Sequence, residues 1–179
     1  MLRRIESGAF THHEFPEREA PNPERRSERL AGRTQTAPVK TYEMRSRSVR
    51  TTDRETKLMA RPYLRDLYTN DAGDMICQAC HDAMPFKLSD GTPYFEIPEV
   101  VGAVSAELAE NHLALCPNCS AKWQHANETT EAVLRQAISA SEQPEIEVTL
   151  AGAVVKIRFV RIPFDDLRTV LAALKTVPA

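Results

Sequence analysis

Apolar and polar residues alternate most regularly toward the C-terminal end of the chain. In EIEVTLAGAVVKIRFV, Ile146, Val148 and Leu150 take every second position, Val155, Ile157 and Phe159 do the same, and Gly152 falls between the two sets. A period of two is that of a strand with one buried face, so this run predicts a β-hairpin. The period then changes. In FDDLRTVLAALK, Phe164, Leu167, Leu171 and Leu174 recur at three- and four-residue intervals, the spacing of a helix with one apolar stripe. Upstream, NETTEAVLRQAISA puts Val133, Leu134, Ala137 and Ile138 on one helical face. Pro117 and Asn118 suit a first turn, and a helix is expected to continue through SAKWQHA. All these apolar positions read as core.

The middle of the chain is less periodic. Thr52 or Asp53 offers an N-cap ahead of RETKLMARPYLRDLY, and Pro62 predicts a break there, with Tyr63, Leu64, Leu67 and Tyr68 giving the second piece its apolar face. TNDAGD closes it with turn residues. In PFKLSDGTPYFEI, Asp90-Gly91 lies between two β-prone runs and predicts a second hairpin. PEVVGAVSAELAE reads as a loop or a short helix. Before residue 52, stretches such as EFPEREAPNPERRSERLAGRTQTAP hold little to bury, so a disordered basic, Pro-rich tail or linker is expected over 1–51. The expected plan is α+β: that tail, a central domain over 52–140, and a hairpin–helix unit over 141–179 packed on it.

Charge divides the chain in the same way. The net charge is −2 over 179 residues, but residues 1–57 carry 13 Lys and Arg against 9 Asp and Glu, and the remainder carries 10 against 16. A basic tail is compatible with an anionic partner, but a solvated tail with no role of its own is the expected reading, and the acidic body argues against a protein that coats duplex DNA. MLRRIESGAFTHHEF has no apolar signal region, and no run reaches the ~20 apolar residues of a membrane helix. A soluble, cytoplasmic chain is expected, with no membrane contact and no evident small-molecule substrate.

All four cysteines fall in two Cys-x-x-Cys pairs, Cys77/Cys80 and Cys116/Cys119, with 35 residues between them. Zinc(II) takes four tetrahedral ligands, and four thiolates leave no open position for a reacting water. The order of pair, hairpin, connection, pair and helix is that of a treble-clef finger. Cys77, Cys80, Cys116 and Cys119 are therefore expected to hold one structural Zn²⁺ per chain. A thioredoxin-like redox pair would employ one Cys-x-x-Cys and leave the other idle, and buried structural thiols would not account for two matched spacings. His81, beside Cys80, reads as a surface or neighbouring residue once the shell is full.

From Cys77 to about Asn127, the pieces CQAC, PFKLSDGTPYFEI and ENHLALCPNC resemble the zinc-binding form of the HNH endonuclease family. The resemblance implies a ββα fold in which an Asp-His or His-His pair ends the second hairpin strand. It also implies an asparagine five residues before the third cysteine and a histidine directly after the fourth. Here Asn111 is present, but the pair reads Pro98-Glu99 and the last histidine reads Ser120. Proline offers neither ligand nor base, and a carboxylate of ordinary pKa is a poor base near neutral pH. Glu99, Asn111, His112 and His125 remain as substitute candidates, although His125 lies about 140° around a helix from Ser120.

Together with YLRDLYTNDAGDMICQAC and VTLAGAVVKIRFV, the same pieces also resemble the C-terminal region of bacterial sacsin-like, GHKL-type ATPase proteins. That resemblance implies an accessory module of a defence-type system. The function expected is a non-catalytic zinc-binding module for a protein or nucleic-acid partner, with Arg45, Arg47, Arg50 and Arg54 available in the tail. The alternative is a divergent metal-dependent HNH-type DNA endonuclease, and a redox or zinc-sensing role is a third class.

Overall fold

The C-terminal hairpin forms where the alternation predicts it, although Phe159 falls just beyond its second strand. In the computed structural model, which describes residues 15, 17, 19–38, 54–102 and 108–175, β1 (Glu145–Leu150) and β2 (Ala153–Arg158) pair antiparallel, with Ile146 opposite Ile157 and Val148 opposite Val155. Ala151 and Gly152 have φ of 51° and 73°. Two consecutive left-handed residues match the right-handed twist of the strands they join. Ile146, Val148, Leu150 and Ile157 are buried against Leu134 and Ile138 of α4 (Glu131–Ala140) and against Phe164, Leu167, Val170 and Leu171 of α5 (Arg161–Lys175). Thr130 caps α4, accepting from the Val133 N–H. Val133 itself is half exposed, so the face expected for α4 narrows to Leu134 and Ile138, with Ala137 packed against them. The side chain of Leu174 lies outside the described residues.

This core does not end at residue 141. The same apolar cluster contains Cys77, Leu113, Leu115 and Trp123. A second cluster joins Ala60, Leu64 and Tyr68 to Met75, Phe95, Ile97, Ala114 and Val160. Those first three residues lie on α2 (Arg54–Tyr68), which runs unbroken through Pro62 and corrects the expected break. A proline forfeits one helical hydrogen bond, and the buried Ala60–Leu64–Tyr68 stripe, spaced by four on both sides of it, holds the helix together.

The tail also needs correction over one stretch. Pro23–Thr36 is a helix, α1. Asn22 caps it by accepting from the Arg25 N–H at 3.1 Å, with Pro23 in the first turn. Leu30 and Thr34 are buried. Arg26 pairs through its Nε, at 2.8 Å, and its guanidinium NH2 with Asp166 on α5, and Arg33 pairs with Glu110. Few apolar residues are needed because the helix anchors by ion pairs to carboxylates that are themselves buried. Ahead of α1, Phe15 meets the Tyr68 ring edge-on and Glu17 accepts from the Arg161 N–H at 3.1 Å, whereas Arg45, Arg47 and Arg50 lie outside the described residues.

Between the cysteine pairs the chain forms short ladders in place of long strands. The second hairpin is present at 86–94: Lys87 bridges Pro93, and Gly91, with φ 82°, donates to the Leu88 carbonyl at 2.9 Å. Its second run then pairs with the approach to the third cysteine. Glu96 and Leu115 exchange hydrogen bonds of 2.8 and 3.0 Å, and Leu113 donates to Pro98 at 2.9 Å. A single 3₁₀ turn, Ala109–Asn111, precedes this strand-like run, and α3 (Pro117–His125) follows it. Among the described residues no helix is long and apolar enough to cross a membrane.

Candidate metal centre

The first cysteine pair sits in a turn closed on both sides. Cys77 N–H donates to the Asp82 carbonyl at 2.9 Å, and His81 N–H donates back to the Cys77 carbonyl at 3.0 Å. His81 has φ 63°, a left-handed conformation that reverses the chain directly after Cys80. Its ring is buried, with Nε2 3.1 Å from the Lys156 carbonyl on β2. Of the two readings for His81, surface or neighbour of the shell, the buried ring fits the second: it anchors the knuckle to the C-terminal hairpin.

The second pair is delivered by the ladder that ends at Leu115. Cys116 is the N-cap of α3, Pro117 follows in its first turn, and Cys119 lies in that same turn. The four sulfurs lie within 4.8 Å of one another, with Cys80 and Cys116 Sγ 3.9 Å apart. Tetrahedral metal–thiolate bonds of ~2.3 Å place sulfurs ~3.8 Å apart, so the cluster has the dimensions of a metal-ion site. Cys116 N–H points at Cys77 Sγ from 3.3 Å, and the N-terminus of α3 adds partial positive charge beside the thiolates.

Cys77 is buried and the other three are half-buried. Crowding pulls their proton affinities apart. Hydrogen bonds from Cys119, Cys77 and Cys80 hold the Cys116 thiol far below the usual range, whereas Cys80 and Cys119 are pushed far above it, in each case first by Cys116. Against Cys116, which raises it, Cys119 and Cys80 draw Cys77 down to about 7. Ionising all four thiols in so small a space is opposed by their mutual repulsion, and a divalent cation would relieve it.

Gln78, between the two thiols of the first knuckle, is fully buried and ties three segments together. Its Oε1 accepts from Ala114 N–H at 2.7 Å, two residues before Cys116, and its Nε2 donates to the Arg158 carbonyl at 3.0 Å. Its backbone repeats both links, donating to Ala114 at 3.1 Å and accepting from Arg158 at 2.9 Å. Hydrophobic periodicity gives no sign of such a residue; only its position inside a Cys-x-x-Cys singles it out.

The substitute candidates do not come together as a second cluster. Asn111 is buried and braces Val101, accepting from its N–H at 3.1 Å and donating to its carbonyl at 2.9 Å. His112 is buried, with Nδ1 3.0 Å from the Leu108 carbonyl, and it faces Glu99 across the ladder. His125 is exposed at the end of α3. Ser120 is buried, and its hydroxyl accepts from the Gln124 amide at 2.8 Å. The Glu99 carbonyl accepts from the Trp123 indole N–H at 2.9 Å, which docks α3 on the ladder. Among the described residues, the four cysteines are the one group of three or more His, Cys, Asp or Glu side chains arranged to hold a metal ion.

No family model matches the chain. A 60-residue stretch, 32% of the chain, is 37% identical to the type IV methyl-directed restriction enzyme EcoKMcrA of Escherichia coli (strain K12). The match spans 22% of that enzyme's length, so it compares one module with part of a larger protein.

Proposed function

We propose that the four cysteines bind one zinc ion in a treble-clef, HNH-like finger, and that this finger docks a nucleic-acid or protein partner without cleaving it. The observation that carries the reading is Ser120. On the HNH resemblance it stands where the metal-ligating histidine would, and it is buried and bonded to Gln124 close to a set of four sulfurs. Pro98, at the other expected histidine-bearing pair, gives its carbonyl to Leu113 and has no side-chain donor to offer. Zinc held by four thiolates contributes folding free energy. The chain's own groups supply the rest: Asn111 sets the turn at Val101, Gln78 joins the knuckle to the second pair, and Trp123 fixes α3.

The restriction enzyme that shares the 60-residue stretch supports a setting in DNA processing or defence, in line with the sacsin-like resemblance. The tail arginines would then meet an anionic partner. The test pairs metal analysis with supercoiled plasmid, Mg²⁺ or Mn²⁺, and a chelator control. One zinc per chain and intact plasmid in every lane are expected. Metal-dependent nicking that follows the protein through purification would favour the divergent endonuclease, and its loss in Glu99→Ala or His125→Ala, with zinc retained, would locate the chemistry.

A further inference from the structure

On the hairpin at 86–94, Phe86 and Tyr94 stack across the turn, with ring centroids 4.9 Å apart and planes 11° from parallel. Tyr94 N–H donates to the Phe86 carbonyl at 3.0 Å, which fixes the pair in register. Phe86 is 48% exposed and the neighbouring Leu88 43%, while Tyr94 is half-buried. Single exposed apolar residues are ordinary. A preformed aromatic stack with cations beside it is less so.

Those cations come from two elements. Arg61 on α2 lies over Phe95, with Cζ 4.9 Å from the ring centroid, next in sequence to Tyr94. Arg65 follows one turn later on the same helical face and is exposed. Lys87, also exposed, lies between Phe86 and Leu88 in sequence. The carboxylates nearby are engaged within the hairpin: Asp90 Oδ1 accepts from Thr92 N–H at 2.9 Å and Thr92 Oγ1 at 2.6 Å, and Glu96 accepts from the Tyr94 hydroxyl. Asp66 points about 100° around α2 from Arg65. Around the aromatic pair the cations Arg61, Arg65 and Lys87 thus outnumber the carboxylates Asp90 and Glu96 by one, on a body that is acidic as a whole.

We propose that this face binds unpaired nucleic acid, with a base stacking on Phe86 and Tyr94 while phosphates meet Arg61, Arg65 and Lys87. The proposal extends the partner reading above and rests on it. A protein partner fits less well, because a stable interface buries ~800 Å² per side around an apolar centre, and here the apolar surface is little more than Phe86 and Leu88. A base needs one ring face and a charge near its phosphate.

The experiment is fluorescence anisotropy of the full, metal-loaded chain with labelled single-stranded DNA, single-stranded RNA and duplex DNA of about twelve nucleotides, within the ~4–16 of a single-strand site. The expected result is salt-dependent binding that prefers a single strand. Phe86→Ala should weaken it by about fivefold or more, and Phe86→Trp should retain it. Arg65→Ala should lower the slope of log K against log salt by ~0.7. Metal content should be unchanged in all three variants. Absent or duplex-only binding by metal-loaded protein, or Phe86→Ala binding like the parent, overturns the proposal and leaves the zinc module standing. So does a protein partner held through Phe86 in place of nucleic acid. Purified protein without metal would instead sink the module reading beneath it.

Discussion

Replacing Gln78 by leucine tests how the metal centre is held together. The side chain is fully buried, and its amide satisfies the Ala114 N–H at 2.7 Å and the Arg158 carbonyl at 3.0 Å. Leucine fills nearly the same volume, so little cavity forms, but the Ala114 N–H loses a buried hydrogen bond and the Arg158 carbonyl a part-buried one. A buried group left unsatisfied costs ~1–3 kcal/mol, so with the part-buried Arg158 carbonyl adding less, Gln78→Leu should lose about 1–4 kcal/mol, a sizeable share of the ~5–15 kcal/mol of an ordinary domain. Gln78→Ala should lose more, by the added cavity. Gln78→Glu should lose at least as much as Gln78→Leu near neutral pH, since it buries a carboxylate beside the thiolates and against the Arg158 carbonyl it can no longer donate to. The assay is urea unfolding at a fixed free zinc concentration, because bound metal raises apparent stability by mass action. Chelator competition should show weaker zinc binding in step, since Ala114 lies two residues before Cys116. A Gln78→Leu protein within ~0.5 kcal/mol of the parent, the range of inert surface changes, would refute the idea that this amide couples the two pairs and the hairpin.

Other outcomes follow from the same contacts. Cys77→Ser or Cys119→Ser should lose metal and unfold the segment around the cysteines, because structural zinc supplies ~10 kcal/mol or more of binding free energy in small fingers; a folded, zinc-free variant by circular dichroism would contradict this. Arg26→Ala should lose about 1–3 kcal/mol, as it strips the buried Asp166 of its cation while the Tyr63 hydroxyl stays 3.3 Å away; accelerated proteolysis near residue 36 would report the release of α1. Burial, and for Tyr63 also Asp166, holds the Tyr63 and Tyr68 phenols well above their ordinary range. The unfolded chain releases these protons near pH ~10 while the folded one keeps them, so stability should be intact below that pH and fall above it by up to ~1.4 kcal/mol per unit per tyrosine. A Tyr63→Phe/Tyr68→Phe double variant should flatten the alkaline limb of a pH–stability curve.

Local rules carried far in this chain. The period-two runs specify β1 and β2, because a half-buried strand admits one alternation and a one-residue slip would turn every side chain over. The Cys-x-x-Cys spacings mark the four sulfurs, since a pair three residues apart can share one turn. Asn22-Pro23 is a legible cap, yet the polar composition around it hid α1, whose anchors, Asp166 and Glu110, lie 140 and 77 residues from their arginines. Pro62 reads as a break because the local loss is visible and the burial of Leu64 and Tyr68 that offsets it is not. The sequence by itself therefore determined the elements that depend on neighbours within a few residues, and the residue types able to bind metal. The tertiary structure alone decided that Gln78 and His81 fasten the knuckle to β2, that Asn111 serves as a brace, and that Ser120 is sealed from solvent. Hydrogen bonds and burial join residues by distance in space, and no periodicity along the chain encodes that distance.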